Sequence, residues 1–207
     1  MISRLSAKIV AVLVNHNIIQ DEDLEVYQYG TEILVSSCLT LIITILIGLI
    51  FNMVWDASIF IGVFAWLRRK TGGFHADTYF KCNLIYAVVL IVALSLTKLL
   101  IPFYTLWMHI MVLLVYLLTT LCFSPVENIN KPIDYPTKIE CKLKSLLYGI
   151  ALFGVNTMLW SFMRNIENLI IVDVTFLTII ISIIIEKILK GGEGNEKRVA
   201  DDSGNSD

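Results

Sequence analysis

The chain has 207 residues, 57% of them hydrophobic and 16% charged, with a formal net charge of -2. Soluble domains hold roughly half apolar and a quarter charged residues, so this composition excludes a water-soluble globular protein. The small net charge carries little information, because basic loops and an acidic tail offset each other.

The first 30 residues do not read as a cleaved signal. Lys8 interrupts the early apolar run, the stretch 9–14 is short, and no small-residue cleavage site follows. Ile2, Leu5, Ile9, Leu13 and Ile18 recur at near-helical spacing. That predicts an amphipathic helix lying on the inner membrane surface or packed on cytoplasmic loops. Long apolar runs follow at 33–53, 83–102, 104–123, 145–163 and 169–185. Each is near the roughly 20 residues that cross a hydrocarbon core. A shorter run, 54–67, carries Asp56 and would extend only about 21 Å as a helix, so it is a thin span or a re-entrant segment.

Counting that run as a span makes the charges coherent. With the amino terminus inside, all 16 Lys and Arg except Lys98 and Arg164 fall on the cytoplasmic side. The expected fold is all-α integral membrane, with about six transmembrane or re-entrant helices and an N-terminal amphipathic helix. Residues 1–190 form a single membrane domain, and 191–207, rich in Gly, Asn and acidic residues, are expected to be a disordered cytoplasmic tail. Both termini are expected inside.

The most polar island lies between the short run and the next span: Arg68-Arg69-Lys70-Thr71-Gly72-Gly73-Phe74-His75-Ala76-Asp77-Thr78-Tyr79-Phe80-Lys81-Cys82. A thiolate is the reactive form of cysteine, and nearby cations favour it. Cys82 has Lys81 beside it and Arg68, Arg69 and Lys70 one loop away. Cys38, Cys122 and Cys141 read as structural, and no CxxC pair supports a metal centre or redox site. Cytoplasmic thiols stay reduced, so no disulfide is expected.

On a straight helix His75 and Cys82 would share a face but stand about 10.5 Å apart at Cα. Glycines 72 and 73 permit a loop that folds the imidazole back over the next helix, with Asp77 its cap. His75 is therefore expected outside regular helix. From spacing alone, an ordinary positive-inside loop remains the competing reading.

This island closely resembles the signature of the accessory gene regulator B family, AgrB, membrane endopeptidases that mature quorum-sensing propeptides in Gram-positive bacteria. Tyr29-Gly30-Thr31-Glu32-Ile33-Leu34 resembles the start of that family's first span. Ser124-Pro125-Val126-Glu127-Asn128-Ile129-Asn130-Lys131-Pro132-Ile133 resembles its proline-bracketed loop. The resemblance covers residues 1 to about 190 in order.

The resemblance implies that Cys82 is the nucleophile and His75 its base, in an enzyme that cuts an AgrD-like propeptide through an acyl-enzyme thioester and promotes its cyclisation. It implies a bacterial cell-membrane location and a homodimer. Glu32 is a candidate to orient His75, and Arg68, Arg69, Lys70, Gly72, Gly73, Asp77, Glu127, Asn128 and Lys131 are candidates for orienting or substrate contact. Membrane lipid is an expected partner; nucleic acid, metal and cofactor are not. A peptide exporter and a non-catalytic membrane scaffold are the competing classes, although no GxxxxGK[ST] loop supports ATP-driven transport. His109 reads as outer-leaflet packing, Asn156 as an interhelical hydrogen bond, and Lys98 as a snorkelling cation.

Overall fold

The computed structural model describes residues 2–16, 18–19, 23–72, 78–126, 134–162 and 167–204, and among these every regular element is helical. In chain order they are α1 (Ile2–Asn15), α2 (Leu24–Phe51), α3 (Val54–Thr71), α4 (Tyr79–Leu100), α5 (Leu106–Phe123), α6 (Tyr135–Phe162) and α7 (Glu167–Gly204). Helices α2, α4, α5, α6 and the Leu169–Leu189 part of α7 are long and apolar enough to cross a membrane. The protein is an all-α membrane protein. Ile50, Trp55, Trp107 and Phe80 are each more than 70% exposed; apolar surface of that kind needs lipid, because water would drive it to associate.

Helix α3 is the short apolar run, and it is not a shallow re-entrant hairpin. At 18 residues it extends about 27 Å. Asp56, Ala57, Phe60, Leu67 and Thr71 are buried along its length, and it packs on α2, α6 and α7. The α2–α3 turn takes only Asn52 and Met53. Asn52 adopts a left-handed conformation (φ 55°), and the N–H of Met53 donates to the carbonyl of Gly48 at 2.8 Å. This closes α2 with the arrangement usual at helix C-termini, where asparagine tolerates positive φ. Gly48 then lets α3 approach: a Cβ there would lie 3.0 Å from the Cα of Val54.

Helix α7 is the centre of the bundle. Over its most apolar 18 residues 56% are buried, against 17–28% in the corresponding stretches of the other four spans. It packs against α3, α4 and α5, and its β-branched Ile170, Ile171, Val174, Ile179 and Ile183 are buried. Past the membrane its backbone stays helical to Gly204, through the segment where composition predicts a disordered tail. Extending an existing helix needs no new nucleus.

Helix α1 packs on α2. Ser6 and Val10 are buried there, while Leu5, Ile9 and Val12 face outward. The side-chain amide of Gln28 donates to Ser6 Oγ at 3.0 Å and to Glu32 Oε1 at 3.3 Å. Thus the small polar face seats α1 on the bundle and the apolar face is left outward, the orientation that a helix at a lipid interface requires.

At the end of the bundle away from Cys82, Lys98 does more than snorkel: its ammonium donates to the Phe51 carbonyl at the end of α2, at 2.9 Å. His109 is not simple packing either. It is fully buried, with Nδ1 2.7 Å from Asp173 Oδ2 and Nε2 2.8 Å from Thr157 Oγ1, and its ring stacks on Phe153. Tyr104 donates to the same Asp173 oxygen at 2.9 Å. Asn156 makes its expected interhelical bond, to the carbonyl of Leu169 at 3.3 Å.

Candidate functional site

Helix α3 ends, and α4 begins, at the same end of the bundle, so both ends of the polar island are held on packed helices. The helix is broken between Thr71 and Cys82: Gly72 has φ 71° and ψ -156°, and Thr78 is extended. The two described ends of this break bracket the stretch in which the sequence predicts His75 outside regular helix. His75 itself, Gly73 and Asp77 lie outside the described residues, as do Glu127, Asn128 and Lys131.

The cap of α4 is Thr78, one residue after the aspartate that the sequence suggests. Its side chain accepts from the N–H of Lys81 at 3.3 Å, and its carbonyl accepts from the N–H of Cys82 at 3.0 Å. A threonine hydroxyl satisfies one of the free amide groups of a first turn. Cys82 therefore sits where the first intrahelical bond closes, beyond the strongest part of the helix dipole. Its side chain is exposed, so the thiol is open to a reactant.

Asn83, the next residue, is what holds this turn in place. It is buried; its amide donates to Ser36 Oγ at 3.1 Å and to the Tyr79 carbonyl at 3.0 Å, and its oxygen accepts from Thr40 at 2.7 Å. Three fixed bonds to α2 and to its own turn leave the adjacent Cys82 little freedom to rotate with the helix. An asparagine beside a candidate nucleophile at the start of an apolar run is a legible signal, yet only the contact with α2 gives it meaning. Glu32, on α2, accepts from Gln28 and Ser6 and lies within electrostatic reach of Tyr79 at the start of α4. It is thus on the side of α2 that faces the site.

The basic cluster is divided by the helix it sits on. Arg68 turns inward, with its guanidinium 5.1 Å from the centre of the Phe64 ring and within electrostatic reach of Cys82 and of Glu186 on α7. Glu186 is a neighbour that nothing in the sequence indicates. Arg69 and Lys70 instead line an open groove of about 370 Å³ with Gly62, Ala65, Trp66 and Tyr148. Of the three, Arg68 is the cation placed to steady negative charge as it develops on Cys82 Sγ during reaction. In a variant whose other cysteines are replaced, Arg68→Gln is expected to slow alkylation of Cys82 by a neutral maleimide several-fold at neutral pH, whereas Arg69→Gln leaves it near wild type. Equal rates in both variants would remove Arg68 from this role.

The segment after α5 is tied to the mouth of the same loop. The carbonyl of Thr71 accepts from the N–H of Val126 at 3.0 Å and from Ser124 Oγ at 3.2 Å, across a cis Ser124–Pro125 bond. A Cβ at Gly72 would collide with the Val126 carbonyl oxygen and lie 3.1 Å from its nitrogen. Glycine is required at 72 both for its positive φ and for this approach.

All four cysteines are free, and Cys38, expected to be a packing residue, is exposed. Among the described residues no cluster of three or more His, Cys, Asp or Glu side chains could hold a metal ion.

Comparison with known proteins gives one consistent result. The family described as accessory gene regulator B matches residues 6–186. An AgrB-like protein of Clostridium perfringens (strain SM101 / Type A) is 27% identical over 207 aligned residues, covering 92% of this chain and 95% of its own length. AgrB-like protein 2 of Clostridium perfringens (strain 13 / Type A) is 29% identical over 155 residues, covering 72% of this chain and 68% of its own. No solved structure matches.

Proposed function

The chain belongs to the accessory gene regulator B family, and from that premise we propose that it is a cysteine endopeptidase of the bacterial cell membrane that trims a signal propeptide and promotes its cyclisation. The observation that carries this reading is the exposed Cys82 thiol, held at the start of α4 beside Arg68 and seven residues from His75 in the linking segment. The basic segments 68–70 and 138–144 and Lys187 support a cytoplasmic location for this end of the bundle by the positive-inside rule.

In this mechanism His75 takes the proton of the Cys82 thiol, and Sγ attacks one peptide carbonyl of the precursor. The tetrahedral intermediate collapses as the C–N bond breaks, His75 returns the proton to the departing amine, and the carboxyl-terminal fragment leaves. The remaining thioester joins the precursor to Cys82. A thiol or hydroxyl within the precursor then attacks that thioester, closes a ring and releases Cys82 as a thiol. Exchange of thioester for thioester is nearly balanced in energy. Keeping water from the acyl-enzyme preserves that bond, and the bilayer around α4 serves this need.

The test is incubation of the lipid-reconstituted protein with the propeptide encoded beside its gene, followed by intact-mass measurement of both. A released carboxyl-terminal fragment and an acyl adduct on Cys82 are expected, and both disappear in Cys82→Ala. If a folded protein gives neither, peptide export or a scaffolding role takes the place of catalysis.

A further inference from the structure

A second pocket opens at the same end of the bundle, between the C-terminus of α5, the start of α6 and the late turns of α7. It has a volume of about 330 Å³ and is lined by Cys122, Phe123, Ser124, Pro125, Val126, Lys138, Lys142 and Lys187. Three cations from two helices converge there, and among the described lining residues there is no carboxylate. The position relative to the membrane is as informative as the charge. Phe123 is the last residue of one candidate span, and Lys187 lies two residues before the end of another. Immediately before the pocket on these helices, Leu118, Leu121, Ile184 and Ile185 are exposed apolar side chains.

We propose that this pocket binds the phosphodiester headgroup of an anionic phospholipid, with the acyl chains running down the exposed apolar surface of α5 and α7. A ligand that is anionic at one end and apolar below matches this sequence of surfaces; a hydrated acidic peptide would satisfy the lysines but leave the apolar surface unused. Basic pockets between spans on the cytoplasmic side have the right chemistry for such headgroups. The site has a consequence for the loop described above. Ser124 and Val126 line the pocket and also hold the Thr71 carbonyl, so a bound headgroup braces the segment that abuts Gly72. Lipid occupancy and the end of α3 at Thr71 and Gly72 are thereby linked. This assignment stands whether or not the chain is a peptidase.

The experiment is native mass spectrometry of the detergent-purified full chain equilibrated with dioleoylphosphatidylglycerol or dioleoylphosphatidylcholine. Wild type is compared with Lys138→Gln/Lys142→Gln/Lys187→Gln and with an equal-charge control, Arg4→Gln/Lys8→Gln/Lys144→Gln. Each cation near an anionic headgroup contributes on the order of fivefold in affinity, so the pocket variant is expected to lose at least about tenfold in phosphatidylglycerol retention while the control does not. Equal losses in both variants, or equal retention of phosphatidylcholine by wild type, would overturn the proposal in favour of diffuse surface attraction. Displacement of the lipid by millimolar inorganic phosphate would make this a simple oxyanion site, and displacement by an oligoglutamate peptide at lower concentration would make it a peptide site. Either result overturns the lipid assignment.

Discussion

Replacement of Gly72 by alanine is expected to reduce propeptide cleavage by about 100-fold, the loss that accompanies roughly 1 Å of misplacement of reacting groups. Gly72 is the hinge between α3 and the segment that carries His75, and its φ of 71° with ψ of -156° belongs to a region that L-residues scarcely enter. Adding a methyl group costs on the order of 1–3 kcal/mol in backbone strain alone. The collision with the Val126 carbonyl adds to this, because a backbone atom cannot swing away as a flexible side-chain end does. Relief comes only by breaking the Val126-to-Thr71 bond, and that frees the mouth of the loop.

The effect should fall on turnover more than on membrane level, since Val126 is only one edge residue of the core built around α7. Cleavage rate per folded molecule is therefore the quantity to measure, beside the alkylation rate of Cys82, which α4 sets through Asn83 and which should persist. Ser124→Ala removes only one hydrogen bond of about 1 kcal/mol and should be mild by comparison. Wild-type cleavage by Gly72→Ala would show that the junction does not position the loop.

The second large effect is on stability. Asp173→Ala is expected to cost about 3–5 kcal/mol, the usual consequence of removing one partner from a buried ion pair or network. His109 and Asp173 are 0% and 1% exposed, and Tyr104 and Asn156 direct hydrogen bonds at the same carboxylate. Deleting the carboxylate leaves at least the Tyr104 hydroxyl and Nδ1 of His109 without their partner, while Nε2 keeps its bond to Thr157. With roughly 2–4 °C lost per kcal/mol for a chain of this size, the thermal midpoint in detergent should drop by about 10 °C. The double variant His109→Leu/Asp173→Leu should recover part of the loss, because it removes the stranded ring nitrogen as well. Additive losses in the two single variants and the double would show that the pair is not coupled. Cleavage chemistry should survive in whatever fraction folds, because this cluster is at the opposite end of the bundle from Cys82.

The two predictions differ in how far they could be read from residues alone. Gly72 stands in a glycine pair between two apolar runs, a place where an unusual backbone is an economical guess. His109 lies among Trp107, Met108 and Ile110, and nothing nearby in the sequence announces an acid; its partner is on another helix and is brought to it only by packing. Arg68, Arg69 and Lys70 read alike in the sequence as three consecutive cations, yet one lies within electrostatic reach of Cys82 and Glu186 while the other two line a separate groove. The same limit explains Thr78 and Asp77. Both are good capping residues, and which one caps depends on where α4 is seated by Asn83.

By itself the sequence determined the membrane character, the number and order of the long apolar helices, the break in the helix before Cys82 and the family. These follow from composition, from hydropathy over about 20 residues and from local glycine and capping chemistry, all of which act along the chain. Tertiary structure alone decided that α3 packs on α2, α6 and α7 through one buried face, that α7 is the axis of the bundle, that Asn83 anchors the turn of Cys82, and that the loop after α5 closes on Gly72. The reason is physical. In a bundle surrounded by lipid, apolar residues are equally suited to the core and to the exterior, so hydrophobicity cannot assign faces. That assignment falls to small residues such as Gly48 and to the few polar side chains that must find partners between helices.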